Sequence, residues 1–156
     1  MLPELKANLA TESTTFPSYD GFTAILKLDF KNCMQLNNIH TSLDISITFR
    51  QIVQDMLFEK LDATDTRELN QFIVIQQESD RVLMRTNSNS KDDLRAIIVF
   101  TGKCFAKCLL KGFLLNGAIS YGKIAIDQGS NQFESKSIIL SQQLLEETYW
   151  FGITIE

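Results

Sequence analysis

The order of apolar segments predicts an α+β domain of the ferredoxin-like palm type: strand, helix, strand, strand, helix, strand, then one more helix and strand. Three observations carry this. Residues 22–30 and 72–75 are nearly continuous apolar runs, as strands buried on both faces should be. Residues 45–61 repeat apolar side chains at helical spacing, and residues 92–115 form a second long helical stretch. Residues 72–86 read as two strands closed by a tight turn, placing a hairpin between the helices. The expected sheet is mixed, with the helices on one face.

Each element follows from local chemistry. Residues 1–20 hold both prolines, Pro3 and Pro17, and a Thr/Ser cluster, and read as an N-terminal arm; residues 21–156 form the palm domain. Gly21 opens the first strand, and residues 31–42 are a polar stretch. In residues 45–61 the side chains Ile45, Phe49, Ile52, Val53, Met56, Leu57 and Leu61 share one face, with Asp44 or Ser42 as cap. Glu78 and Ser79 sit in the hairpin turn, and residues 81–86 return as a strand. Ser90 caps a helix over 92–115, which Asn116 and Gly117 stop. Residues 118–126 form a strand, 127–132 a turn, 137–147 a helix and 150–155 a last strand.

Composition narrows the class of molecule. At 156 residues, 44% hydrophobic and 22% charged, the chain matches one globular domain. A net charge of -4 and pI near 5.0 argue against a nucleic-acid binder, whose surface must neutralise phosphates. Cys33, Cys104 and Cys108, with the lone His40, form no zinc pattern and read as core thiols in a reducing compartment. Residues 1–15 hold no apolar leader, and the most apolar stretch, 96–115, is interrupted by Lys103, Lys107 and Lys111. The expectation is a cytoplasmic protein with no membrane partner. Those three lysines share a helical face that reads as solvated.

Two acidic residues at strand edges carry the functional signal. Asp29 ends the first apolar run and Asp80 sits at the hairpin tip. In a palm arrangement both project to one sheet edge. Two carboxylates there repel unless divalent metal lies between them, and magnesium or manganese so held bridges triphosphate oxygens. The turn after Asp29, with backbone N–H groups of Phe30, Lys31, Asn32, Cys33 and Met34, is the expected anion nest, and Lys31 a phosphate contact. The alternative for both aspartates is a turn or cap residue without chemistry.

At these residues the chain resembles the class III nucleotide cyclase catalytic domain in its compact bacterial form. The run Ile25, Leu26, Lys27, Leu28, Asp29, Phe30 looks like that family's first strand. Residues 77–84 look like its central hairpin, and 116–122 are similar to its Arg-Gly-Ala-Ile-Ser-x-Gly strand. The resemblance implies two magnesium or manganese ions on Asp29 and Asp80, a nucleoside triphosphate substrate, a cyclic nucleotide signal and a homodimer with shared sites. Three departures stand out. Asn116 replaces the family arginine, Gln76 lies near the position of a base-reading lysine, and 137–147 lacks the Asn-x-x-x-Arg pair, for which Lys136 is the substitute cation. The run from Leu28 to Asn32 also resembles diguanylate cyclases and CRISPR-type polymerase palms, which make cyclic oligonucleotides or dinucleotides. A catalytically inactive cyclase-like dimer is the remaining alternative.

Overall fold

The computed structural model describes residues 16–36, 41–147 and 152–155. Most of the expected N-terminal arm, His40 and the aromatic trio Tyr149, Trp150 and Phe151 lie outside these residues. Six strands form one curled sheet: β1 (Ser18–Leu28), β2 (Ile73–Gln77), β3 (Arg81–Thr86), β4 (Leu115–Ile126), β5 (Phe133–Ser135) and β6 (Gly152–Ile155). Their order is β2-β3-β1-β4-β5, all antiparallel, with β6 added parallel to the first half of β4. The sheet is therefore mixed, and the fold class is the expected one. β1 starts at Ser18, three residues before the expected domain boundary.

Strand alternation gives the sheet two differently packed faces. Ala24, Leu26 and Leu28 of β1 and Val82 and Met84 of β3 point to the side of α2 (Ser42–Leu57) and α3 (Lys91–Leu110). Phe49, Met56, Ile97 and Phe100 fill that layer with no exposure. Burying each such side chain contributes about 1.5–3 kcal/mol. Ile25 and Leu83 point the other way, onto α4 (Lys136–Glu147) through Ile138 and Leu145. The expected helical layer on one face is thus joined by a fourth helix on the other.

The helix ends correct two expectations. Thr41, not Ser42 or Asp44, caps α2: its hydroxyl accepts the Asp44 N–H while the Asp44 carboxylate accepts the Thr41 N–H, a reciprocal box. α3 stops at Leu110, not at Asn116. Gly112, at φ 78°, donates its N–H to Leu109 and the Phe113 N–H bonds Cys108, a Schellman closure that favours glycine. Gly117 instead lies inside β4, where a Cβ would stand 2.9 Å from the Ile25 carbonyl. The expected polar stretch after β1 opens with a short helix, α1 (Phe30–Leu36). β5 was absent from the sequence-based expectation.

Candidate active site

Asp29 is the single residue joining β1 to α1, and main-chain bonds fix it on two sides. Its N–H donates to the Leu114 carbonyl at 3.0 Å. The neighbouring Leu28 N–H donates to the Asp80 carbonyl at 2.7 Å. Asp80 is the last of the three residues between β2 and β3, a turn closed by the Glu78 N–H bond to the Arg81 carbonyl at 2.9 Å. The two acidic residues, 51 positions apart by numbering, are therefore held together at one sheet end by the antiparallel pairing of β1 with β3.

Their carboxylates have different surroundings. Asp29 Oδ1 accepts the Asn32 N–H at 3.1 Å and Oδ2 accepts Asn32 Nδ2–H at 2.6 Å. Its carbonyl accepts the Cys33 N–H at 2.9 Å. Asp29 is thus the N-cap of α1, and each oxygen keeps a further lone pair. The Asp80 carboxylate, half-buried, makes no hydrogen bond or ion pair among the described residues. Both donors are hard oxygens suited to magnesium or manganese. No cluster of three or more His, Cys, Asp or Glu side chains fit for a metal occurs among the described residues. The donor set fits an ion completed by water and phosphate oxygens, not a closed protein cage.

The expected anion nest is narrower than the sequence suggested. The amides of Asn32 and Cys33 are already bonded to Asp29, while Phe30 and Lys31, opening α1, have no intrahelical acceptor for theirs. Lys31 is exposed. Cys33 is fully buried, and its Sγ accepts the Leu114 N–H at 3.1 Å. Burial pushes its thiol pKa up, the Asp29 charge adds to this, and the Leu114 bond opposes it. Cys33 ties the Asp29 joint to β4 and offers no surface to a ligand. Lys136 opens α4 on the opposite sheet face. The far end of that helix, at Gln142 and Glu146, is the one that leans over Lys27 and Arg81 beside the aspartates. Lys136 is thus about 16 Å of helix away from that end.

A cavity of about 310 Å³ was not foreseen. Phe16, Gln76, Ala125, Asp127, Gln132, Phe133 and Glu134 line it. Asp127 is turned into its own loop, bonding the Gly129 N–H and the Ser130 hydroxyl, and these bonds hold its pKa below the ordinary range. Gln76 Oε1 is buried without a partner among the described residues, as is Nε of Arg85. The Arg85 guanidinium lies 5.8 Å from the Phe133 ring and donates to the Tyr19 hydroxyl at 3.0 Å. Gln76 alone among the lining residues drew attention in the sequence. The others come from segments more than a hundred residues apart, which no local pattern connects. On the lysine ridge Lys103 and Lys107 share the single carboxylate of Glu59.

No protein-family model matches the chain, and no curated protein does. Solved structures do. The monomeric guanylyl cyclase domain of the RhoGC fusion protein from the aquatic fungus Blastocladiella emersonii aligns over 92% of this chain and 84% of its own, with TM-score 0.55 and 12% identity. The catalytic core of a rhodopsin-guanylyl cyclase with converted specificity, in complex with ATPαS, aligns over 91% and 79%, also at 0.55 and 12%. No helix among the described residues is long and apolar enough to cross a membrane. The chain thus shares the fold of nucleotide cyclase catalytic domains.

Proposed function

We propose that this chain is a metal-dependent nucleotidyl cyclase, converting a nucleoside triphosphate to a 3′,5′-cyclic nucleotide and pyrophosphate as a homodimer. The observation that carries the reading is the Leu28–Asp80 main-chain bond, which keeps Asp29 and Asp80 at one sheet end in a cyclase fold. Asp29 and Asp80 hold the ions through hard oxygen donors. Magnesium or manganese bound there supplies positive charge against the triphosphate and acidifies the attacking ribose hydroxyl. Asn32 keeps the Asp29 carboxylate in one orientation through both oxygens. The amides of Phe30 and Lys31, with the Lys31 ammonium, face the phosphates. In the reaction the 3′-oxygen bonds the α-phosphorus, the bond to the bridging oxygen breaks, pyrophosphate leaves with that electron pair, and the hydroxyl proton passes to water.

The cavity supports a shared site. Among the described residues it is lined by amides, carboxylates and two phenylalanine rings and by no cation, so it suits a nucleobase better than a triphosphate. Its wall at Ala125 pairs with Ser18, the first residue of β1, whereas Asp29 follows the last. A base seated there completes the carboxylates of a second protomer, with Lys136 near the base side. Asp29 serving as a helix cap is what favours the second reading, a non-catalytic dimer that binds nucleotide.

The test is pyrophosphate release from each of the four triphosphates with manganese, compared with Asp29→Ala and Asp80→Ala. Expected is turnover that falls at least about a hundredfold in both variants. Absent turnover with unchanged nucleotide binding in the variants would establish the non-catalytic reading. Chromatography of the product separates a cyclic mononucleotide from a cyclic dinucleotide.

A further inference from the structure

A lysine interrupts the apolar run of β1, and the fold gives it an unusual neighbour. Lys27 and Arg81 are direct register partners across β1 and β3. Ile25 and Leu83, the next pair on the same face, belong to the core beneath α4, so both cations lie on the α4 face. Like charges directly opposed on an antiparallel pair destabilise the sheet. Arg81 is compensated by Glu78, its Nε standing 2.6 Å from Oε2. Lys27, half-buried, makes no ion pair or hydrogen bond among the described residues. Glu146 lines the same narrow cleft yet pairs with neither cation.

Position gives this pair its meaning. Lys27 precedes Asp29 by two residues, Arg81 follows Asp80 directly, and the Leu28–Asp80 bond lies between them. Two cations and two carboxylates thus crowd one sheet end. Two aspartates with a triphosphate carry more negative charge than two divalent ions offset. We propose that Lys27, supported by Arg81, is the phosphate-binding cation of this site, contacting the β- and γ-phosphates that leave as pyrophosphate. The inference rests on the nucleotidyl reading and names a residue of its polyphosphate subsite. Lys31, exposed on α1, is secondary to it.

Calorimetric titration of inorganic tripolyphosphate with magnesium into the full chain tests this, alongside Lys27→Gln, Lys27→Arg and Lys31→Gln. Expected is about a tenfold loss of affinity in Lys27→Gln, recovery in Lys27→Arg, and a smaller loss, about threefold, in Lys31→Gln. A purely structural Lys27 would instead lower the melting temperature of Lys27→Gln without moving tripolyphosphate affinity. That result overturns the proposal, as does a wild type that binds no tripolyphosphate. If Lys27→Gln fails to fold, Lys27→Arg decides alone: affinity kept within about threefold supports a cation role, and affinity lost overturns it. Wild-type binding without turnover of any triphosphate, but with binding lost in Lys27→Gln, sinks the cyclase reading and keeps the polyphosphate subsite. Turnover with an unchanged KM in Lys27→Gln sinks the subsite alone.

Discussion

The two faces of the sheet are built to different rules. Beneath α2 and α3 the interior is dry: Phe49, Met56, Ile97, Phe100 and the thiols of Cys104 and Cys108 fill it. On the α4 face the apolar cluster is smaller and polar groups sit among or beside it: Thr23 and Ser120 bond each other at 3.1 Å, while Arg85 and Gln76 each keep one atom unpaired among the described residues. One face supplies cooperativity of folding; the other keeps groups whose burial costs free energy unless a ligand or a second subunit completes them. Among the described residues Gln76 Oε1, Arg85 Nε and Ser141 Oγ are buried and unpaired on the α4 side, while Gln77, the register partner of Val82, keeps its unpaired amide on the other side.

Phe100→Ala is the severest way to break this contrast. Its side chain has no exposure and packs in the helical layer, so truncation should cost about 3–5 kcal/mol by denaturant unfolding. That is a large part of the stability of an ordinary domain. A loss below about 1 kcal/mol would mean that the helical layer is not the stabilising one. On the opposite face Arg85→Met should behave differently. Among the described residues buried Arg85 has no carboxylate partner and one unsatisfied nitrogen, so an apolar residue of similar length should shift stability by less than about 1 kcal/mol in either direction. A drop of several kcal/mol would make Arg85 a structural group and remove the distinction between the faces.

The same contrast explains what could be read from the chain in advance. The dry face announces itself through periodicity: Ile45, Phe49, Ile52, Val53 and Met56 are buried on α2, as their spacing requires. Asp29 and Asp80 were visible because each ends a recognisable element, and antiparallel pairing then brings such ends together. The other face is legible only in three dimensions. Amphipathic spacing in α4 shows that one stripe is buried but not which side of the sheet receives it. A strand of three residues, β5, is too short for any periodic signal. The cavity is assembled from Phe16 ahead of β1, from β2 and from the end of β4 through β5, and its residues share no local pattern. Composition alone favours the Asn116–Gly117 pair as the helix stop; the Schellman bonds at Gly112 decide otherwise.

The smallest expected effect concerns whether charge also fastens the helical side. Glu59, just past α2, bonds both Lys103 and Lys107 of α3. The Lys107 hydrogen bond foremost, then the charge of Lys107 and the contacts of Lys103, hold its carboxyl pKa below a free glutamate's 4.5, against a smaller opposing effect of burial. A carboxylate whose pKa is lower in the folded state binds fewer protons there than when unfolded. Its contribution is therefore complete above pH 4.5 and disappears as the pH falls through the lower folded value. The side chain is 33% exposed, so screening limits the gain to about 0.5 kcal/mol. Glu59→Gln should accordingly melt slightly below the wild type at neutral pH, and the gap should close in acid below that window. Half-molar salt should narrow the gap at neutral pH as well, because the pairs are reached by solvent. A gap that stays constant with pH would show that the charge of Glu59 contributes nothing, leaving the helical face held by burial alone.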